Sequence, residues 1–121
     1  MQFVMNEREA DLLRNHLEEV ALDSVSGNID DAEANEEYDY LDNLQDEYSR
    51  IEAMVDDLSN TEFTLALDET DKGILIDWIE FWIEAAEDGF DNGDIEDDMI
   101  EDFNEEMNLM TSMLKRLEAL S

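Results

Sequence analysis

The sequence predicts a mainly α fold, a four-helix bundle built from two tandem helical hairpins, with a small two-stranded β ribbon between them. Three observations carry this reading. Apolar residues recur at helical spacing along most of the chain. Proline is absent and glycine occurs four times, as expected of long helices with few turns. The same order of signals also appears twice, which makes the two halves read as copies of one unit, although shared helix-hairpin chemistry would produce part of the likeness.

The elements follow in order. Phe3-Val4-Met5 and Phe63-Thr64-Leu65 are β-prone and supply the ribbon. Each precedes a helix start. Asn6-Glu7-Arg8-Glu9 and Asp68-Glu69-Thr70-Asp71 both place a capping residue three positions ahead of an acid, the pattern of a capping box. The first helix is expected near 6–23, with Leu12, Leu13, Leu17, Val20 and Ala21 as its apolar stripe. Gly27-Asn28-Ile29-Asp30-Asp31 matches Gly93-Asp94-Ile95-Glu96-Asp97, and each reads as a turn, a cap and an anchoring apolar residue. The second and fourth helices are then expected near 30–58 and 95–119. Leu41, Leu44, Tyr48, Ile51, Val55 and Leu58 in one, and Ile100, Phe103, Met107, Met110, Leu114 and Leu117 in the other, recur at close to heptad spacing, which suits antiparallel packing.

The third helix, near 68–88, departs from that economy. Its apolar residues cover roughly 220° of the circumference, wider than a small bundle buries from one side. One reading is a central helix contacted by several neighbours. The other is a homodimer or partner face carried by Ile76, Trp78, Trp82 and Ile83.

At 121 residues the chain is expected to be one domain, 1–121, with hairpin repeats at 1–60 and 61–121. Its 43% hydrophobic content sets it apart from a disordered acidic tail. With no cysteine there is no disulfide frame and no thiolate chemistry. The N-terminus lacks a basic region followed by an apolar run, and no apolar stretch approaches the roughly 20 residues that span a bilayer. Cytoplasm is the expected location, that of a host cell if the chain is of phage origin.

Charge is the dominant signal. Thirty-seven acids face six lysines and arginines, a formal net charge of −31. No base lies between Arg14 and Arg50 or between Lys72 and Lys115. In two hairpins those base-free stretches gather at the loop tips. Asp30, Asp31, Glu33, Glu36, Glu37, Asp39 and Asp42 surround Tyr38 and Tyr40 at one tip, and Asp91, Asp94, Glu96, Asp97, Asp98, Glu101 and Asp102 crowd the other. Acids at the starts of the second and fourth helices complement the helix dipole. Glu84, Glu87 and Asp88, at the end of the third, oppose it, which favours a charge requirement over local stability. Such a surface attracts cationic partners and repels nucleic acid and anionic membrane. Tyr38 and Tyr40 point to different helix faces, so at least one is expected to stand exposed among carboxylates as an interface anchor.

Catalytic chemistry finds no foothold in the sequence. His16 is the single histidine and sits on an apolar stripe without a nucleophile nearby, so a packed structural role is expected. Residue 13, three before it, is leucine, which removes the Glu-x-x-His pattern of di-metal bundles. The stretch from Asp88 to Met99 resembles a calcium-binding EF-hand loop in Asp88, Asn92, Gly93 and Ile95. It departs at Phe90 and Met99, where oxygen ligands belong. Met99, Met107, Met110 and Met113 are expected to fill the core. No catalytic, cofactor or metal site is expected.

In size, helix content and charge the chain resembles the phage-type DNA mimics. That resemblance implies an inhibitor that occupies the basic groove of a DNA- or RNA-binding protein. Two other readings stand beside it. Acid excess with only two lysines suits a protein of a salt-in halophile, and the broad third helix suits a dimeric adaptor or assembly protein.

Overall fold

The computed structural model describes residues 2–59, 63–93 and 96–120. Four helices and a two-stranded antiparallel sheet make up the fold. Strand β1 (Gln2–Val4) leads into helix α1 over residues 7–34, which is followed by helix α2 (Tyr38–Leu58). Strand β2 (Thr64–Ala66) leads into α3 (Glu69–Asp91), and a 3₁₀ turn (Asp97–Met99) opens α4 (Ile100–Ala119). The ribbon pairs Phe3 with Leu65 at its centre. Both of these side chains are buried, while their strand neighbours Val4 and Ala66 face outward, so the pleat seals the core from one end.

Both capping boxes form. The Asn6 side chain accepts from the Glu9 amide at 2.9 Å while the Glu9 carboxylate accepts from the Asn6 amide at 3.1 Å. Asp68 and Asp71 repeat the exchange at the head of α3.

Helix α1 differs from its expected form in two ways. It has a π segment, Leu17–Ala21, between two α segments, Glu7–His16 and Leu22–Ala34. The spacing of the buried residues explains the wide turn. Leu13, Leu17, Ala21 and Val25 are all buried and lie four apart. In a regular helix each such step overshoots a full turn by about 40°, so the row would walk off its face. One extra residue in the turn returns it to register. The second difference is where the helix ends. It continues through Gly27-Asn28, the expected turn, and stops at Asn35. Burial of Val25 and Ala32, with Ile29 packed against the core, offsets a glycine penalty of about 1 kcal/mol.

The true turn is a Schellman motif. The Glu37 amide donates to Ala32 O at 3.0 Å and the Glu36 amide to Glu33 O at 3.3 Å, with Glu36 at φ 58°. Helix α3 also ends on a left-handed residue: Gly93, at φ 74°, donates to Phe90 O at 3.1 Å. The structural counterpart of Gly93 is therefore Glu36, and the expected match of Gly27 to Gly93 does not hold. Ile95, the other expected anchor, lies outside the described residues.

Helix α1 packs along α2 and helix α3 along α4, and the Glu7–His16 segment of α1 also contacts α4. Ile51, Leu75, Ile79, Met110, Met113 and Leu117 are fully enclosed between the helices and the ribbon, each burial worth about 1.5–3 kcal/mol. No described helix is long and apolar enough to cross a membrane.

Candidate functional site

The side chains of Arg50, Arg116 and Lys72 are engaged by the chain's own acceptors around the ribbon and the head of α3. Arg50 donates to Asp46 and Asp68 at 2.8 Å and to Asp71 at 2.9 Å, which ties α2 to the head of α3 and holds the Asp68 carboxyl below its usual range; the Asp71 backbone amide contributes most to that shift and Arg50 next. Arg116 pairs with the buried Glu9, donates to Val4 O at 3.0 Å and lies 5.3 Å from the Phe3 ring centre. Arg8 pairs with Glu105, and Lys72 Nζ donates to Leu120 O at 2.7 Å. Arg8 also lines a cleft with Met99 and Asp102, so a base stands beside the second tip, whereas residues 30–42 of the first contain none.

The first tip runs over residues 30–42. Asp30, Asp31 and Glu33 project from the last turns of α1, Glu36 and Glu37 form the loop, and Asp39 and Asp42 open α2; all are exposed. Tyr38 and Tyr40 are 63% and 52% exposed. Because α1 ends at Ala34, the acids at 30–33 lie at a helix C-terminus, not at the start of the second helix as the sequence predicts. No base occupies that last turn, so these carboxylates oppose the dipole where they were expected to complement it. Each such placement costs about 0.3–1 kcal/mol.

The second tip holds Asp91 at the end of α3, Glu96 before the 3₁₀ turn, Asp97 and Asp98 within it, and Glu101 and Asp102 on the first turn of α4, all exposed. Asp94 lies outside the described residues. Asp88 and Phe90 belong to the last turns of α3, so the stretch that resembles an EF-hand begins as helix and not as loop. Phe90 stacks on Phe103 at 5.5 Å and clips α3 to α4. Among the described residues, no hydrogen bond or ion pair joins one tip to the other. The structure therefore assembles the candidate acids into two clusters, each on its own hairpin.

The broad face of α3 is divided among its neighbours. Ile76, Trp78, Trp82 and Ile83 are half-buried and pack against the core. Trp78 Nε1 donates to Glu47 of α2 at 3.2 Å, and its backbone carbonyl accepts from His16 Nε2 of α1 at 2.8 Å. The carbonyl can only accept, so the proton is on Nε2. Burial pushes the His16 pKa below its ordinary value of 6.5, and this hydrogen bond partly opposes the shift.

Sequence reasoning missed an open groove of about 350 Å³ where α1, α3 and α4 meet. It is lined by His16 and Val20 of α1, by Phe81, Trp82, Ala85, Ala86 and Gly89 of α3, and by Phe103 of α4. Its volume falls within the range of small-ligand sites. Phe81 is 48% exposed and stacks near His16, with ring centres 6.4 Å apart. The small residues at 85, 86 and 89 create the space, and their spacing along one helix face was the available signal. No family model matches the chain, nor does any curated protein or solved structure.

Proposed function

We propose that the chain is a small acidic binding protein that presents carboxylates where a nucleic acid presents phosphates, and so occupies and blocks the basic groove of a DNA- or RNA-binding protein. The observation that carries this reading is the tip at 30–42, where exposed acids and two exposed tyrosines stand without a base. Acids one helical turn apart have Cβ atoms about 5–6 Å apart, comparable with phosphates along a strand that rises about 3.4 Å per nucleotide. Tyr38 and Tyr40 supply large contact area of the kind that anchors interfaces. The acids of the last turn of α1 weaken their own helix, which selection for stability alone would have removed.

The test uses purified DNA- and RNA-binding proteins of high isoelectric point, with binding measured in the presence and absence of a short DNA duplex. The expected result is binding that the duplex competes away and that weakens with salt. Neutralising Asp30→Asn, Asp31→Asn, Glu33→Gln and Asp42→Asn together should lower affinity by about tenfold or more, roughly 1.4 kcal/mol, without loss of folding. Binding that persists in this variant, or that ignores the duplex, overturns the reading.

A further inference from the structure

We propose that the groove between α1, α3 and α4 is a docking site for a cationic amphipathic helix of a partner protein. The proposal stands apart from the mimicry reading, because it uses different residues and a different partner chemistry.

The groove runs along α3 from Phe81 to Gly89, about 12 Å at 1.5 Å per residue. That length matches two turns of a docked helix, which presents apolar side chains at i, i+3 or i+4 and i+7. Its lining is aromatic and aliphatic apart from His16, and no lysine or arginine contributes to it. The exposed acids beside it have the opposite character. Asp77, Glu84 and Asp88 lie on the α3 face flanking Phe81, and Asp23 follows Val20 by three residues on α1. An apolar floor bordered by carboxylates complements a helix with an apolar stripe and lysine or arginine on its flanks. Charge also selects against the alternative occupant. A second copy would bring a net charge of −31 against its equal, and that repulsion opposes self-association through this face.

The probe is a synthetic helical peptide of leucine and lysine with period 3.6. Two controls accompany it, a scrambled peptide of the same composition and a lysine-glutamine helix of equal charge. Trp82 lines the groove and Trp78 is the only other tryptophan, so emission reports occupancy directly. The periodic peptide should bind about tenfold or more tightly than either control at near-physiological salt. Ala85→Phe, a plug at an exposed helical position, should abolish that preference while circular dichroism stays unchanged. The tip variant with Asp30, Asp31 and Glu33 neutralised should retain it. Equal binding of the periodic and scrambled peptides means charge condensation alone and overturns the proposal. A preference that survives Ala85→Phe also overturns it. So does a dimer in sedimentation that Phe81→Ser converts to monomer, because a second copy then covers the groove.

Discussion

Glu36 adopts a left-handed backbone at the position of a Schellman motif where glycine is favoured. An L side chain there costs about 1–2 kcal/mol. Glu36→Gly is therefore expected to raise unfolding stability by about 1 kcal/mol, read in urea denaturation, while removing one carboxylate from the tip. An unchanged or lower midpoint would show that the glutamate makes a compensating interaction. His16 gives a second prediction at this scale. Its folded pKa lies below 6.5, so the folded protein resists a proton that the unfolded chain accepts. The stability from the neutral ring is complete above pH 6.5 and is lost as pH falls through that value toward the folded pKa. Relief of carboxylate repulsion on acidification is common to the wild type and a His16 variant, so it cancels in their difference. The melting temperature of the wild type relative to His16→Gln should decline between about pH 7.5 and pH 5.5. A constant difference would sink the assignment.

Helix α1 provides the test at the scale of the element. Gly27 lies within its second α segment, and an added Cβ would meet nothing within 4 Å. Gly27→Ala is expected to stabilise by about 0.5–1 kcal/mol. Gly93→Ala should destabilise by about 1 kcal/mol, since Gly93 holds φ 74°. If Gly27 were a turn, both substitutions would lower the melting temperature. The pair also shows which signals are local. Both capping boxes were legible because Asn6 with Glu9, and Asp68 with Asp71, complete their hydrogen bonds within four residues. The end of α1 was not legible, because Gly27-Asn28 has turn chemistry whereas Asn35-Glu36 has no glycine. The choice between them rests on burial of Val25, Ile29 and Ala32 against α2. The π segment was hidden for a related reason: a row of apolar residues four apart reads as an ordinary stripe until its drift is summed over three steps.

Across the whole molecule the charge pattern makes repulsion among carboxylates the main electrostatic force opposing the fold. The Debye length falls from about 30 Å at 0.01 M salt to about 10 Å at 0.1 M, so most relief comes early. A cooperative melt is expected already at about 20 mM sodium chloride, rising by several degrees up to about 0.5 M and little thereafter. A chain that folds only in molar salt would instead fit adaptation to brine and would weaken the case for a cationic partner. The acidic clusters of the candidate site were readable from the absence of bases between Arg14 and Arg50 and between Lys72 and Lys115. The groove was not, because it depends on the register of three helices at once. The width of the apolar arc on α3 announced a surplus of apolar surface. Only the placement of His16 and Phe103 beside Ala85 and Gly89 gave that surplus a shape.

The two base-free stretches also fix how the chain can be cut. Trypsin cleaves after lysine and arginine, and all six of these residues lie within helices, where cleavage waits on local opening. The enzyme therefore acts only at these six helical positions and never between residues 15 and 49 or between 73 and 114. Once the helices open at these positions, digestion releases residues 15–50 and 73–115, each carrying one acidic tip whole. The rate at which those two masses accumulate would time local opening of the helices around the bases without any cut within the tips.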